Sequence, residues 1–227
     1  MGSASAITHK PSADAKPVAT AALSAFAAGA WRASEVGRIA TDVLELALTA
    51  SRCAVSSGTV PSPRTLTIID YSKPSIEPRL WVLDLVTRTL LYEELVAHGQ
   101  GSGGNHATSF SNRAESHQSS LGLFVTDTTY VGRNGYSLRL DGLDRGVNDQ
   151  ARERAIVMHG APYVNAEIGK SLGRLGRSHG CPAVREAVAR ELIDRVKDGN
   201  LLFAYYPDRQ WLDSSKFLSC GQSSSRT

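Results

Sequence analysis

The chain has 227 residues, 41% of them hydrophobic and 21% charged, which fits one soluble globular domain with extensions. A formal net charge of only +3, with no stripe of Lys and Arg to concentrate it, argues against a nucleic-acid partner. No stretch approaches the ~18 consecutive apolar residues of a membrane span.

Residues 1–33 are rich in Ala, Ser, Lys and Pro, and read as a poorly ordered arm or the remnant of an export signal. From Ser34 the apolar positions Val36, Ile39, Ala40, Val43, Ala47 and Ala50 recur at helical spacing. They predict an N-terminal helix over 34–59, with Ser34 as N-cap, packed on the main domain. Pro61 and Pro63 end that segment, and β-rich runs follow at Leu66–Tyr71, Leu80–Leu85 and Leu90–Val96. Residues 98–120 are dominated by Gly, Ser, Asn and His and read as one long functional or mobile loop. Strand-like segments return at Leu121–Val125, Tyr136–Leu140 and Ala155–His159. A helix is expected at Val184–Val196, then a last strand at Leu201–Tyr206 and a tail over 209–227. The expectation is a mainly β domain over 60–208 with flanking helices; the short, irregularly spaced strands argue against a doubly wound parallel sheet.

Two segments carry chemistry. Ala155-Ile-Val-Met-His159-Gly160 is an apolar strand that ends in an imidazole. Gly176-Arg-Ser-His-Gly-Cys181-Pro-Ala-Val184 places a thiol after a flexible turn and ahead of Pro182, a residue suited to starting a helix. A thiol at a helix start is expected to have a lowered pKa. Such parts suit acyl transfer through a thioester, with Cys181 as nucleophile and His159 as base. The carbonyl of Gly160 is expected to orient the imidazole, and the N–H groups of Gly180 and Cys181 to hold an oxyanion. Ser178 and His179 are candidates for supporting roles, Ser178 either near the imidazole or as a helix cap.

Cys181 is one of three cysteines. In an exported protein Cys53 and Cys220 would pair, leaving Cys181 as the free thiol; the alternative is two unrelated buried thiols. Metal chemistry is not expected, because no Cys-x-x-Cys or His-Glu-x-x-His spacing occurs, and His98, His106 and His117 look like solvated loop residues. A caspase-like arrangement is disfavoured, since its Cys lies ~50 residues beyond the His and here the two are 22 apart.

The pattern His159-Gly160 followed by Ser178-His179-Gly180-Cys181 resembles the YkuD-type L,D-transpeptidase domain. Ser120-Leu-Gly-Leu-Phe124 stands where that family carries a small-Pro-x-Gly-x-Phe element. The blocks Ser137-Leu-Arg-Leu-Asp-Gly142, Ile156-Val-Met-His-Gly160 and Gly173-Arg-Leu-Gly-Arg-Ser178 are similar to its divergent murein L,D-transpeptidase branch. The resemblance runs from about Leu66 to Tyr206 and implies a β-sandwich or barrel without a cofactor. It implies that Cys181 attacks the third residue of a peptidoglycan stem peptide, diaminopimelate, releases D-Ala, and passes the acyl group to an amine in a 3–3 crosslink. Carbapenems are the implied covalent inhibitors, the periplasm or the outer side of the cell wall the implied location, and a monomer the expected state. L,D-carboxypeptidase or D-amino-acid exchange is the alternative on the same scaffold, and a non-catalytic peptidoglycan-binding module the alternative of another class. The chain departs from the family after the Cys, where Pro182-Ala183-Val184 displaces the usual Arg to Arg185. Arg139, Arg177 and Asn112 are the substitute candidates for gripping a stem-peptide carboxylate.

Overall fold

The computed structural model describes residues 23–27 and 29–220, so the expectations for the first 22 residues and for the tail beyond 220 lie outside the described residues. Helix α1 (Thr41–Ser56) buries Val43, Ala47, Ala50 and Ala54 on one face, as the helical spacing dictates. It starts seven residues later than Ser34 predicted. Ala33–Glu35 instead forms a single 3-10 turn, whose first N–H, from Arg32, donates to the Glu35 carboxylate at 2.7 Å. Ala40, not Ser34, stands at the N-cap of α1.

The strands are β1 (Thr65–Asp70), β2 (Leu80–Asp84), β3 (Thr89–Glu94), β4 (Val96–Ala97), β5 (Gly122–Gly132), β6 (Gly135–Gly142), β7 (Val157–Gly160), β8 (Ala183–Val184) and β9 (Leu201–Tyr205). They form one sheet in the order β3-β2-β1-β9-β5-β6-β7-β8-β4. Pairing is antiparallel except for β1 with β9 and β7 with β8. The two outermost strands, β3 and β4, are separated in the chain by Leu95 alone. The edges of the sheet must therefore lie side by side, which curls it into a nearly closed barrel and leaves little free strand edge. Strand β1 is buried along its whole length, matching its run of apolar residues and Thr, which only Asp70 at its end departs from.

Beyond α1, three helices among the described residues flank the barrel. Helix α2 (Ala166–Leu172) is capped by the Asn165 side chain, which accepts from the N–H groups of Glu167 and Ile168. Helix α3 (Glu186–Val196) buries Ala189, Leu192, Ile193 and Val196 and packs on β7. Helix α4 (Arg209–Ser214) starts at Asp208, whose carboxylate accepts from the Trp211 N–H at 3.0 Å. The segment expected as a tail is thus part of the fold as far as Cys220: Trp211, Phe217 and Leu218 are buried against the barrel. A disulfide joins Cys53, in the last turns of α1, to Cys220. No helix among the described residues is long and apolar enough to cross a membrane.

Candidate active site

A cleft of about 890 Å³ opens beside β7, and both Cys181 and His159 line it. Pairing across the parallel strands sets their relation. His159 lies opposite Ala183 in the register of β7 and β8, so Cys181 falls opposite Val157, just before β8 begins. The Val157 N–H, which a longer β8 would take up, lies 3.5 Å from Cys181 Sγ, and the Ala155 carbonyl lies 3.7 Å from it. Ala155 adopts φ 53°, an uncommon conformation for a residue with a Cβ, at the entry to β7.

His159 is buried at the strand end, and its Nδ1 lies 2.9 Å from the Gly160 carbonyl. A carbonyl only accepts, so Nδ1 carries the proton and the lone pair of the neutral ring resides on Nε2. Burial pulls the His159 pKa below its ordinary value, keeping the ring neutral. A Cβ on residue 160 would meet the Ala189 Cβ at 2.8 Å, so glycine there lets α3 close onto β7 directly beneath the imidazole.

The expectation of a helix start behind the thiol is corrected by the structure. Pro182 leads into the two-residue β8, and α3 begins only at Glu186 with Arg185 at its N-cap. Cys181 therefore does not stand at a helix start. Its thiol is buried, and burial pushes its pKa up, opposed by the Val157 N–H and the charge of Arg154. Thiol and imidazole are therefore both shifted toward their neutral forms.

The turn before the thiol is closed by Ser178. Its hydroxyl donates to the Cys181 carbonyl at 2.6 Å and accepts from the Gly180 N–H at 3.1 Å. Ser178 therefore shapes the turn: its hydroxyl bonds run to the turn's own backbone rather than to the imidazole or a helix N-terminus. The same bonds engage the Gly180 N–H, one of the two expected oxyanion donors, and leave that of Cys181. Gly180 has φ 120° and its Cα is crowded: a Cβ would lie 2.8 Å from the Gln118 carbonyl and 2.9 Å from Ile156 Cδ1. Its carbonyl accepts from Ser119 Oγ at 3.1 Å.

The expected loop over 98–120 is tied down by such contacts. His98, Ser102, Ala107, Ser119 and Ser120 are buried, Gly99 bridges to Ser178, and the Ser178 N–H donates to the His98 carbonyl at 3.0 Å. His98 is thus no solvated loop residue. It is fully buried, with Nδ1 2.7 Å from Nη2 of the buried Arg79, and burial and that guanidinium together pull its pKa down to about 4. His117 stacks on His179 at the cleft wall, with ring centroids 4.3 Å apart.

Of the three residues expected to grip a carboxylate, the structure brings Arg177 alone to the cleft, where it also donates to the carbonyls of Gln100 and Gly103. Arg139 lies over the Tyr130 ring in a separate concavity that shares Ala155 with the cleft. Asn112 lies in a third groove, its side chain spent on Asp149 and on the Gln150 N–H. The displaced Arg185 makes a two-pronged pair with the buried Glu94, at 2.8 and 2.6 Å. Residues the sequence did not single out complete the lining, among them Arg133, Glu153, Arg154, Tyr163 and Glu186. Among the described residues no group of three or more His, Cys, Asp or Glu is arranged to hold a metal.

A lone thiol and an imidazole presented by neighbouring strands into one cleft can carry out acyl transfer through sulfur. A sequence model described as an L,D-transpeptidase catalytic domain matches residues 35–205, a span that takes in α1 as well as the barrel. The chain belongs to the L,D-transpeptidase catalytic-domain family. No curated protein matches the sequence. Among solved structures, an L,D-transpeptidase from Mycobacterium smegmatis is 14% identical, with 64% of this chain and 60% of that one covered and a TM-score of 0.40. An L,D-transpeptidase from Xylanimonas cellulosilytica is 19% identical over 68% of this chain and 69% of its own, with a TM-score of 0.36. L,D-transpeptidase 3 from Mycobacterium tuberculosis, in complex with a faropenem-derived adduct, is 14% identical over 64% and 61%, with a TM-score of 0.38. The chain spans about 60% of the length of the first of these. Likeness at this level carries nothing about chemistry, and membership of the family rests on the sequence match.

Proposed function

We propose that this chain is a cysteine acyltransferase acting on peptidoglycan stem peptides outside the cytoplasm. Cys181 Sγ attacks the carbonyl of the third stem residue, diaminopimelate, while His159 Nε2 takes the thiol proton. The Cys181 N–H faces the developing oxyanion. His159 then returns the proton to the departing D-Ala amine, leaving a thioester. An amine from a second stem, deprotonated by the same Nε2, attacks that thioester to form a 3–3 crosslink. If water is the acceptor the outcome is carboxypeptidation, and if a free D-amino acid, exchange. The observation that carries this reading is the His159 Nδ1–Gly160 contact, which frees Nε2 as a neutral base on a residue that lines the same cleft as the free thiol of Cys181.

Two further features support it. The cleft wall offers both signs of charge, with Glu153 and Glu186 against Arg133 and Arg177, which suits a substrate bearing an amine and a carboxylate. The Cys53–Cys220 disulfide suits an oxidising, extracytoplasmic compartment. Incubation with a carbapenem followed by intact-mass measurement tests the reading: one adduct is expected on the wild type and none on Cys181→Ala. No adduct on the wild type, or an unchanged one on the variant, overturns it. Mass spectrometry of products from purified tetrapeptide muropeptides then identifies the acceptor.

A further inference from the structure

Arg154 stands on the approach to β7, one residue before the left-handed Ala155. Its guanidinium makes four hydrogen bonds into the segment that covers the nucleophile turn. Nη1 donates to the Ser111 carbonyl at 2.7 Å and to Ser120 Oγ at 2.6 Å, and Nη2 to the Gln118 carbonyl at 2.7 Å and to Ser116 Oγ at 3.2 Å. None of these partners is charged, and among the described residues Arg154 makes no ion pair. A half-buried guanidinium whose Nη donors go to carbonyls and hydroxyls keeps a positive charge that no carboxylate pairs with.

That charge is close to the thiol. Nη2 lies 3.5 Å from where a Cβ on Gly180 would stand, and Arg154 lines the cleft together with Cys181. The clamp acts on the same turn. Gln118, held by Nη2, places its carbonyl 2.8 Å from that same Cβ position, and the next residue, Ser119, donates to the Gly180 carbonyl at 3.1 Å. Building on Cys181 as the nucleophile, we propose that Arg154 is its positioning residue. The guanidinium locks the 111–120 segment over the Gly180–Cys181 peptide and supplies the positive charge that the sulfur faces as its proton leaves for His159.

The other titratable groups around the sulfur do not supply that charge. His159, on β7, is held neutral by burial. Tyr71, at the end of β1, and Tyr163, after β7, are both raised to about 12 and stay uncharged. His117, His179, Arg177, Arg133, Glu115, Glu153 and Glu186 line the cleft walls, whereas Arg154 is set against the Gly180–Cys181 turn itself, and its charge opposes the effect of burial on the thiol. Burial pulls the Arg154 pKa down, and the sulfur's negative charge pulls it back up, the reciprocal of the same attraction.

With Cys53 and Cys220 bonded to each other, iodoacetamide reads Cys181 alone. The test is its alkylation rate from about pH 5 to about pH 10 in the wild type, Arg154→Met and Arg154→Lys. Methionine removes the charge and the clamp, and the alkylation midpoint is expected to rise by about one pH unit or more. Lysine keeps the charge but cannot make the four-bond fork, so the midpoint is expected to stay within about 0.3 units of the wild type. In the same variant, acylation by a carbapenem is expected to slow by about 10-fold or more. A methionine variant that folds, by circular dichroism, and keeps the wild-type midpoint overturns the proposal. A lysine variant whose midpoint rises by a full unit also overturns it, and that comparison decides if the methionine variant does not fold. The alkylation profile needs no turnover, so it stands apart from the carbapenem experiment: a wild type that alkylates but never acylates defeats the proposed function and leaves the role of Arg154 to be judged on its own.

Discussion

Removing the Cys53–Cys220 bridge with the double substitution Cys53→Ala/Cys220→Ala should lower stability without touching the cleft, since neither cysteine lines it. The bridge closes a sequence separation of 167 residues, from the end of α1 to the segment after α4. Loop-closure entropy for a ring of that size is worth about 5 kcal/mol at 25 °C, and native disulfides of this kind deliver about 3–5 kcal/mol once residual structure in the unfolded chain is allowed for. Trp211, Phe217 and Leu218 remain buried without the bridge, so the C-terminal segment should stay docked and the loss should appear as a lower unfolding free energy. Equilibrium urea unfolding of the variant and the wild type, with reductant on the wild type as a second route, reads the difference directly. A loss below about 1 kcal/mol would refute the reasoning. A loss of the stated size accompanied by failed carbapenem acylation of the still-folded variant would refute the claim that bridge and cleft are independent.

Gly180→Ala should cut acylation by about 100-fold, because the new methyl meets the Gln118 carbonyl at 2.8 Å in a left-handed backbone and must displace the thiol's own peptide; an unchanged acylation rate contradicts the crowding described. Arg185→Ala should leave acylation within a few-fold of the wild type while costing about 1–2 kcal/mol in urea, because it strands the buried Glu94 carboxylate. A selective loss of acylation would return Arg185 to the substrate. His98 titrates at about 4 in the fold and near 6.5 in the unfolded chain. The unfolded state therefore binds the extra proton first, so stability falls as pH drops from about 6.5 to about 4, by up to about 3 kcal/mol. Urea midpoints for the wild type and His98→Gln across that window should converge toward acid pH; parallel curves would refute it.

Much of the barrel was legible because its strands announce themselves. The buried runs of β1, β2 and β9 are apolar and bounded by Pro, Gly or Asp, and the predicted limits fall within one or two residues of those observed. What escaped has local causes. Strand β8 is two residues long, too short to leave a period. Helix α2 leaves Ile168 and Leu172 exposed, so its apolar residues trace no core face. The Gly- and Ser-rich stretch over 98–120 is ordered by bonds across its own length, such as Gly99 N–H to Ser119 Oγ, and by bonds from the distant Arg154, neither of which composition reveals. At the cleft, the His159 and Cys181 motifs were legible because their glycines and flanking apolar residues mark a strand end and a tight turn. Arg154 was not: within Arg152-Glu153-Arg154 it is indistinguishable from surface charge, and the partners that hold it lie 34 to 43 residues away.

The position of β9 bears on how the chain assembles. It lies between β1 and β5, so the meander β3-β2-β1 and the block β5-β6-β7-β8-β4 share no ladder until residues 201–205 insert between them. The pairing of β1 with β9 spans most of the chain, a high-contact-order step that slows folding. During synthesis neither block can complete the sheet, and the turn bearing Cys181 belongs to a block whose far edge is still open. The residues that line the thiol's cleft all precede β9, yet the sheet that carries them closes only once β9 is in place, so a truncation ahead of β9 removes the keystone of the barrel rather than one strand from its margin.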